Sequence, residues 1–135
     1  MAGDESFALT IPWSVWFLQS IANFFRRRIT KLSDNATLLL IYSNPVESGH
    51  MQAITRIVVE NETSEYDTLR IGVVAGDVFY PLEEELAPVD DQLYTCHDTI
   101  YLSEGETLLV TLAGTTLLDR INVYVEGFEG RKHNP

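Results

Sequence analysis

Short runs of alternating hydrophobic and polar residues occupy most of this chain. In one run, Leu69, Ile71 and Val73 are separated by Arg70 and Gly72. A period of two is typical of β-strands that bury one face. The sequence predicts seven or eight short strands, with runs at residues 37–42, 53–60, 68–73, 78–82, 99–102, 107–112 and 121–126.

Turn-forming residues separate these runs. Asn44-Pro45, Ala75-Gly76-Asp77 and the segment 103–106 are examples, and each has the residue types that favour tight turns. Many short strands without a βαβ pattern are typical of an antiparallel sandwich. We therefore predict a mostly β fold, a jelly-roll-like antiparallel β-sandwich over residues 34–130, followed by a C-terminal tail at 131–135.

The first 33 residues follow a helical period. Large apolar side chains recur there at steps of three and four residues, at Trp13, Trp16, Phe17, Ile21, Phe24 and Phe25. Such spacing predicts an amphipathic helix. Pro12 suits its first turn, and Arg26 to Arg28 would lie at its C-terminus, where cations are favourable. We predict an N-terminal aromatic and basic helical arm over residues 1–33, although residues 7–11 are also compatible with a short strand.

Charge divides the chain in the same place. The whole chain has a net charge of −11, but residues 7–33 hold four Lys or Arg and no acid, giving +4, whereas residues 34–135 hold five bases and eighteen acids, giving −13. An acidic body of this kind repels nucleic acid. We expect no direct contact with nucleic acid, and only the basic patch beside the aromatic residues leaves that interaction open.

Few residues suggest chemistry. The single cysteine, Cys96, and the three histidines show no metal-ligand spacing, and no catalytic motif is present. We predict neither an enzyme nor a cofactor. An acidic stretch from Glu83 to Gln92 is predicted to be a crossover or an exposed loop, and it supplies weak calcium candidates at Glu83, Glu84, Glu85, Asp90 and Asp91.

The segment from Phe7 to Phe25 is uncharged and is followed by three arginines. Its length matches a membrane span, but its many polar residues weaken that interpretation, so we do not expect a membrane protein. Burying each aromatic side chain is worth about 1.5–3 kcal/mol. The aromatic residues should therefore be covered by the chain's own sandwich, by a subunit or partner, or by a membrane surface.

Several turn and strand signatures resemble those of small β-sandwich structural proteins of tailed bacteriophages. They are the Pro-X-Gly-type turn within Ile41 to Gly49, the strand from Ala53 to Asn61, the strand–turn–strand element from Thr99 to Leu108 and the closing strand from Arg120 to Gly127. The resemblance covers about residues 38–127. This chain differs by one extra turn residue near Glu47-Ser48 and by its aromatic N-terminal segment.

The resemblance implies a non-enzymatic virion protein that decorates or cements the capsid as a homo-oligomer, contacts other virion proteins and is assembled in the host cytoplasm. Alternatives are a neck or tail adaptor and a receptor- or glycan-binding module. Interface burial would be the mechanism of the structural role. The expected interface anchors are Trp13, Trp16, Phe17, Ile21, Phe24, Phe25, Arg26, Arg27 and Arg28.

Overall fold

The computed structural model describes residues 23–34, 37–62, 65–86 and 93–131. Within these ranges the regular structure consists of strands, which confirms the mostly β prediction. They are β1 (Asn23–Leu32), β2 (Leu39–Tyr42), β3 (His50–Asn61), β4 (Thr68–Ala75), β5 (Val78–Leu86), β6 (Tyr94–Cys96), β7 (Ile100–Ser103), β8 (Thr107–Ala113) and β9 (Arg120–Arg131).

The strands form two antiparallel sheets. The first has the order β1-β9-β3-β6, and β7 pairs with β3 beside β6; the second has the order β2-β8-β4-β5. Only β4 with β5, and β6 with β7, are consecutive strands in the same sheet. The β4–β5 hairpin turns at Gly76 and Asp77, whose φ angles of 57° and 65° suit a two-residue turn that matches the sheet twist.

A hydrophobic core contains side chains from both sheets. In β4, Leu69 and Ile71 are fully buried, whereas Arg70 between them is exposed. Ile57 and Val59 of β3 are fully buried in the same core. The alternation of hydrophobic and polar residues in the sequence therefore reflects which face of each strand packs against the other sheet.

The helical prediction is wrong for residues 23–32. These residues form β1, which pairs along its whole length with β9, from Asn23 opposite Glu129 to Leu32 opposite Arg120. Phe25 and Ile29 pack against the core, and pairing with a distant strand overrides the local helical spacing. Phe24, Phe25 and the three arginines are strand residues, and the rest of the predicted helix lies outside the described residues.

The predicted loop from Glu83 is also corrected. Strand β5 continues to Leu86 and pairs with β4 up to Thr68. An ion pair between Arg70 and Glu84, 3.4 Å apart, crosses the two strands. Opposite charges on facing strand residues favour strand pairing, so residues 83–86 form the edge of the second sheet rather than a loop. Residues 87–92 of the predicted loop lie outside the described residues.

A buried polar network joins the loops at one end of the sandwich. The Ser33 and Thr115 hydroxyls are 2.7 Å apart, and Asn61 Nδ2 donates to Asp119 Oδ2 at 3.0 Å. The backbone N–H of Thr116 donates to the same Oδ2 at 2.9 Å. Ser33 follows β1, Asn61 ends β3 and Asp119 precedes β9, and all three are nearly inaccessible, so this network fixes the ends of these strands against one another.

Replacing Asp119 with Ala should lower the free energy of unfolding by about 2–4 kcal/mol, because two donors in a buried site lose their acceptor. Urea unfolding followed by circular dichroism measures this change. Asp119→Asn keeps the shape and one carbonyl oxygen, so it should be less destabilising. Equal stability of Asp119→Ala and the unmodified protein would contradict the role of the network.

Candidate interaction surface

Strand β1 carries the arginines predicted as anchors, and each contacts an aromatic ring. The pairs are Arg26 over Phe24, Arg27 over Phe25 and Arg28 over Tyr124, with guanidinium carbons 5.7, 4.8 and 5.6 Å from the ring centroids. Such contacts are worth about 0.5–1 kcal/mol at exposed sites. They hold the guanidinium groups close to the sheet and keep them accessible.

Two of these arginines also form ion pairs with β9. Arg26 lies 3.1 Å from Glu126, and Arg27 lies 3.4 Å from Glu129. The arginine side chains remain 70% and 45% exposed, and solvent-exposed ion pairs contribute at most about 1 kcal/mol. These pairs therefore orient the arginines more than they stabilise the fold.

Asn122 of β9 links β1 to β3 on the side of the sheet that faces away from the core. Its Oδ1 accepts hydrogen bonds from Arg28 at 3.1 Å and Thr30 at 2.8 Å. Its Nδ2 donates to Glu60 at 2.9 Å and Glu62 at 2.7 Å. One amide thus satisfies all four of its hydrogen-bonding positions and separates a cation from two carboxylates.

Asn122→Ala should lower the free energy of unfolding because the hydrogen bonds of the amide are lost. The decrease should be about 1–2 kcal/mol, since the partners lie near the surface and water can replace the amide. Asn122→Asp keeps the shape but places a carboxylate beside Glu60 and Glu62, so it should be the more destabilising change. Urea unfolding gives both values, and amide hydrogen exchange reports the loss at β1. The opposite order of the two variants would contradict this assignment.

An open cleft lies where edge strand β1 meets edge strand β2. Lys31 spans the two strands, since its Nζ donates to the Leu40 carbonyl at 2.8 Å. The cleft has a volume of about 370 Å³ and is lined by Phe25, Arg27, Ile29, Tyr42 and other residues. This side of the sandwich, which we call the β1/β2 side, combines apolar walls with cationic side chains.

The opposite side, the β5/β6 side, brings acidic residues together. Ligand atoms of Glu83, Cys96 and Asp98 lie within 4.8 Å of one another. The hydrogen bond with Asp98, together with partial burial, raises the pKa of the Glu83 carboxyl. Burial also raises the pKa of the Cys96 thiol, which disfavours the thiolate that metal binding and nucleophilic attack require.

Two of the calcium candidates, Glu83 and Glu84, have different partners in the structure. Glu84 pairs with Arg70, and Glu83 meets Asp98, a residue that the acidic run did not include. Asp90 and Asp91 lie outside the described residues. The sequence does not indicate that Glu83 lies near Asp98. Glu83 belongs to β5 of the second sheet and Asp98 lies between β6 and β7 of the first, so the two meet only when the sheets pack together.

Tyr66 is a buried tyrosine beside this acidic side. Burial raises its pKa to about 12, and the nearby Glu85 and Tyr94 act in the same direction. Its side chain is only 5% exposed. The neutral phenol is therefore the form that the folded protein favours.

Tyr66 should contribute stability that is fully present below pH 10 and is lost as the pH rises from about 10 to about 12. The sign follows because the unfolded chain releases the phenol proton first. Tyrosinate absorbance measured during an alkaline titration should show a late step near pH 12, and Tyr66→Phe should remove it. Burial also raises the pKa of Tyr94, so a second delayed tyrosine should remain in this variant. Titration of every tyrosine in a single step near pH 10 would contradict this prediction.

The exposed large apolar side chains are concentrated on the two sides. Phe24, Leu32, Leu38 and Tyr42 lie on or next to β1 and β2, and Val78, Tyr80, Leu82, Leu86, Leu93 and Tyr101 lie on or next to β5, β6 and β7. Only Leu117 and Leu118 of this group in the described ranges lie elsewhere, in the β8–β9 connection. Clustered exposed apolar residues mark interaction surfaces.

Other predicted anchors and motifs are placed as follows. Trp13, Trp16, Phe17 and Ile21 lie outside the described residues. The Nδ1 atom of His50 is 3.6 Å from Glu47 and 3.8 Å from Glu129. No helix in the described parts of the chain has the length and hydropathy to cross a membrane.

A second open cleft, of about 420 Å³, lies on the outer face of the first sheet. Its walls include Arg26, Arg56, Glu60, Tyr124 and Glu126, and Arg56 lies 3.8 Å from Glu126. Opposite charges alternate along this cleft, so it presents no single sign of charge to a ligand.

Comparison of the sequence with models of known protein families and with curated proteins finds no match.

Proposed function

We propose that this chain is a non-enzymatic structural protein of a bacteriophage particle. The strand order supports this proposal. If β6 and β7 are counted as one strand interrupted near Asp98, the eight strands run in the order 1-8-3-6 in one sheet and 2-7-4-5 in the other. That order is consistent with a jelly roll, an architecture used by viral capsid proteins, lectins and cupins.

A fold alone does not determine a function, so the surface must distinguish these uses. The features that stand out from an ordinary protein surface are the two sides of the sandwich, which combine apolar side chains with charge. In the described residues, the one cluster of metal-ligand types contains Glu83, Cys96 and Asp98 without a histidine. These features favour assembly through protein contacts.

Decoration or cementing of the capsid is the role that we propose first. The N-terminal aromatic segment and the two sides would bury interface area between neighbouring subunits, and the acidic remainder would keep the particle soluble. The strongly acidic body also fits a virion position that does not hold DNA by electrostatic attraction.

A neck or tail position is the second candidate, and the difference in charge between the two sides favours it. A contact between unlike sides is heterologous, and heterologous contacts that close on themselves form rings. Rings suit a neck or tail, where subunits surround one axis.

Mass spectrometry of purified particles tests the structural role. Peptides of this chain should accompany the particles through a density gradient at a copy number comparable to that of other structural proteins. Gradient fractions without particles are the control. A chain that is abundant in the infected cell but absent from the particles would contradict the proposal.

Removal of residues 1–22 tests the N-terminal segment. This deletion keeps β1, whereas a deletion up to residue 33 would remove a complete edge strand of the first sheet. We expect the shortened chain to keep the circular dichroism of a β protein and to bind particles about tenfold more weakly or less, because the anchors Trp13, Trp16, Phe17 and Ile21 are gone. Unchanged particle binding would contradict the anchor role.

A further inference from the structure

We propose that the β1/β2 side of one copy binds the β5/β6 side of the next copy, so that identical chains associate side by side in a head-to-tail manner. This inference deepens the proposed assembly role and rests on it. The partner is a second copy of this chain, and the recognition is between a cationic and an anionic side of the same sandwich.

The sheet order places the two sides opposite each other. Strand β1 is one edge of the first sheet and β6 lies toward its other edge, while β2 and β5 are the edges of the second sheet. The hydrogen bond from Lys31 to the Leu40 carbonyl shows that the edges β1 and β2 adjoin. The contact between Glu83 and Asp98 shows that β5 adjoins the end of β6.

The charges of the two sides are complementary. Strand β1 contains Arg26, Arg27, Arg28 and Lys31 and no acid, and β2 is uncharged. Strand β5 contains Glu83, Glu84 and Glu85 and no base, and β6 is uncharged. A copy that presents β1 to the β5 of another therefore meets an attractive surface.

Within the described ranges, part of the acidic side has no cationic partner. No ion pair among the described residues involves Glu83, Glu85 or Asp98. Glu83 and Asp98 are instead hydrogen-bonded to each other, and that contact raises the pKa of Glu83. An arginine from a neighbouring copy would supply the opposite charge that this pair lacks.

The exposed apolar residues supply contact area for the proposed interface, which the charged groups alone do not provide. Phe24 and Tyr42 are 53% and 51% exposed on one side, and Tyr80 and Leu82 are 52% and 57% exposed on the other. Aromatic residues and arginine are enriched in the cores of protein interfaces. Each side therefore combines apolar contact area with charge of one sign.

The alternative symmetric contacts are disfavoured by the same charges. Two β1/β2 sides would oppose their arginines, and two β5/β6 sides would oppose their glutamates. Only the unlike pairing brings opposite charges together. Each copy then has one side of each kind, so successive copies continue the contact and can close a ring.

Charge reversal in the full-length chain tests this pairing. The Arg26→Glu/Arg27→Glu variant changes the net charge of β1 from +4 to 0, and the Glu83→Lys/Glu85→Lys variant changes that of β5 from −3 to +1. The arginine changes remove two exposed ion pairs and two ring contacts, each worth about 1 kcal/mol or less, so the fold should persist. Circular dichroism and thermal unfolding check that both variants remain folded.

Analytical ultracentrifugation measures the association. We expect the unmodified chain to self-associate, each reversed variant alone to associate at least about tenfold more weakly, and an equimolar mixture of the two to recover association. Rising salt should weaken assembly of the unmodified chain. Glu47→Lys/Glu65→Lys is the matched control for the Glu83→Lys/Glu85→Lys variant, because it raises the net charge by the same amount at exposed loop positions and should leave association unchanged.

Three results would overturn the proposal. The first is a full-length chain that stays monomeric at about 100 μM, well above the micromolar range of weak specific complexes. The second is normal association of either reversed variant alone. The third is a mixture of the two variants that shows no recovery of association. A full-length chain that is monomeric but associates once residues 1–22 are removed would also overturn the proposal. In that case the chain's own N-terminal segment, rather than a second copy, would occupy one of the two sides. Self-association by a chain absent from particles would contradict the virion role while supporting this contact.

Discussion

Strand β9 holds the first sheet together. It lies between β1 and β3 and pairs with both, along Asn23–Leu32 on one side and His50–Asn61 on the other. The first sheet is therefore incomplete until β9, the last strand of the described residues, is in place. Such non-local pairing makes folding slow, and it joins the basic N-terminal strand to the body of the sandwich.

The close pairing of β9 with β3 depends on local geometry. The register shifts between Ile54 and Arg56, and Gly127 lies opposite this irregularity. A Cβ atom at Gly127 would lie 2.2 Å from the Ala53 carbonyl oxygen, closer than any real contact. Glycine is therefore needed where the two backbones approach, and the strands on either side keep their alternation of buried and exposed residues.

Alternation allowed the sheets to be predicted, because it directly reflects the burial of one strand face. Residues 68–73 and 121–126 show this in β4 and β9. The prediction failed at β1, where Phe24 and Phe25 fitted a helical period and the pairing with β9 was not visible. A local pattern cannot report a contact with residues about a hundred positions away.

The candidate surface was predictable only in part. The cluster of Arg26 to Arg28 and its aromatic neighbours is visible in the sequence, but their partners on β9 are not. Asn122 looks like an ordinary polar residue in a strand, and its four hydrogen bonds arise only when β1, β3 and β9 lie side by side. Likewise, the opposite charge of the two sides follows from which strands form the sheet edges.

The direction of β1 has a consequence for any closed assembly. Asn23 at its start lies opposite Glu129, and His50 at the start of β3 lies opposite Arg131, so β1 begins and β9 ends at the same end of the sandwich. In a ring of side-by-side copies, these strand ends would all lie on one rim, and the buried polar network around Asp119 would lie on the other. The two rims would then be chemically different, so such a ring would have a direction along its axis.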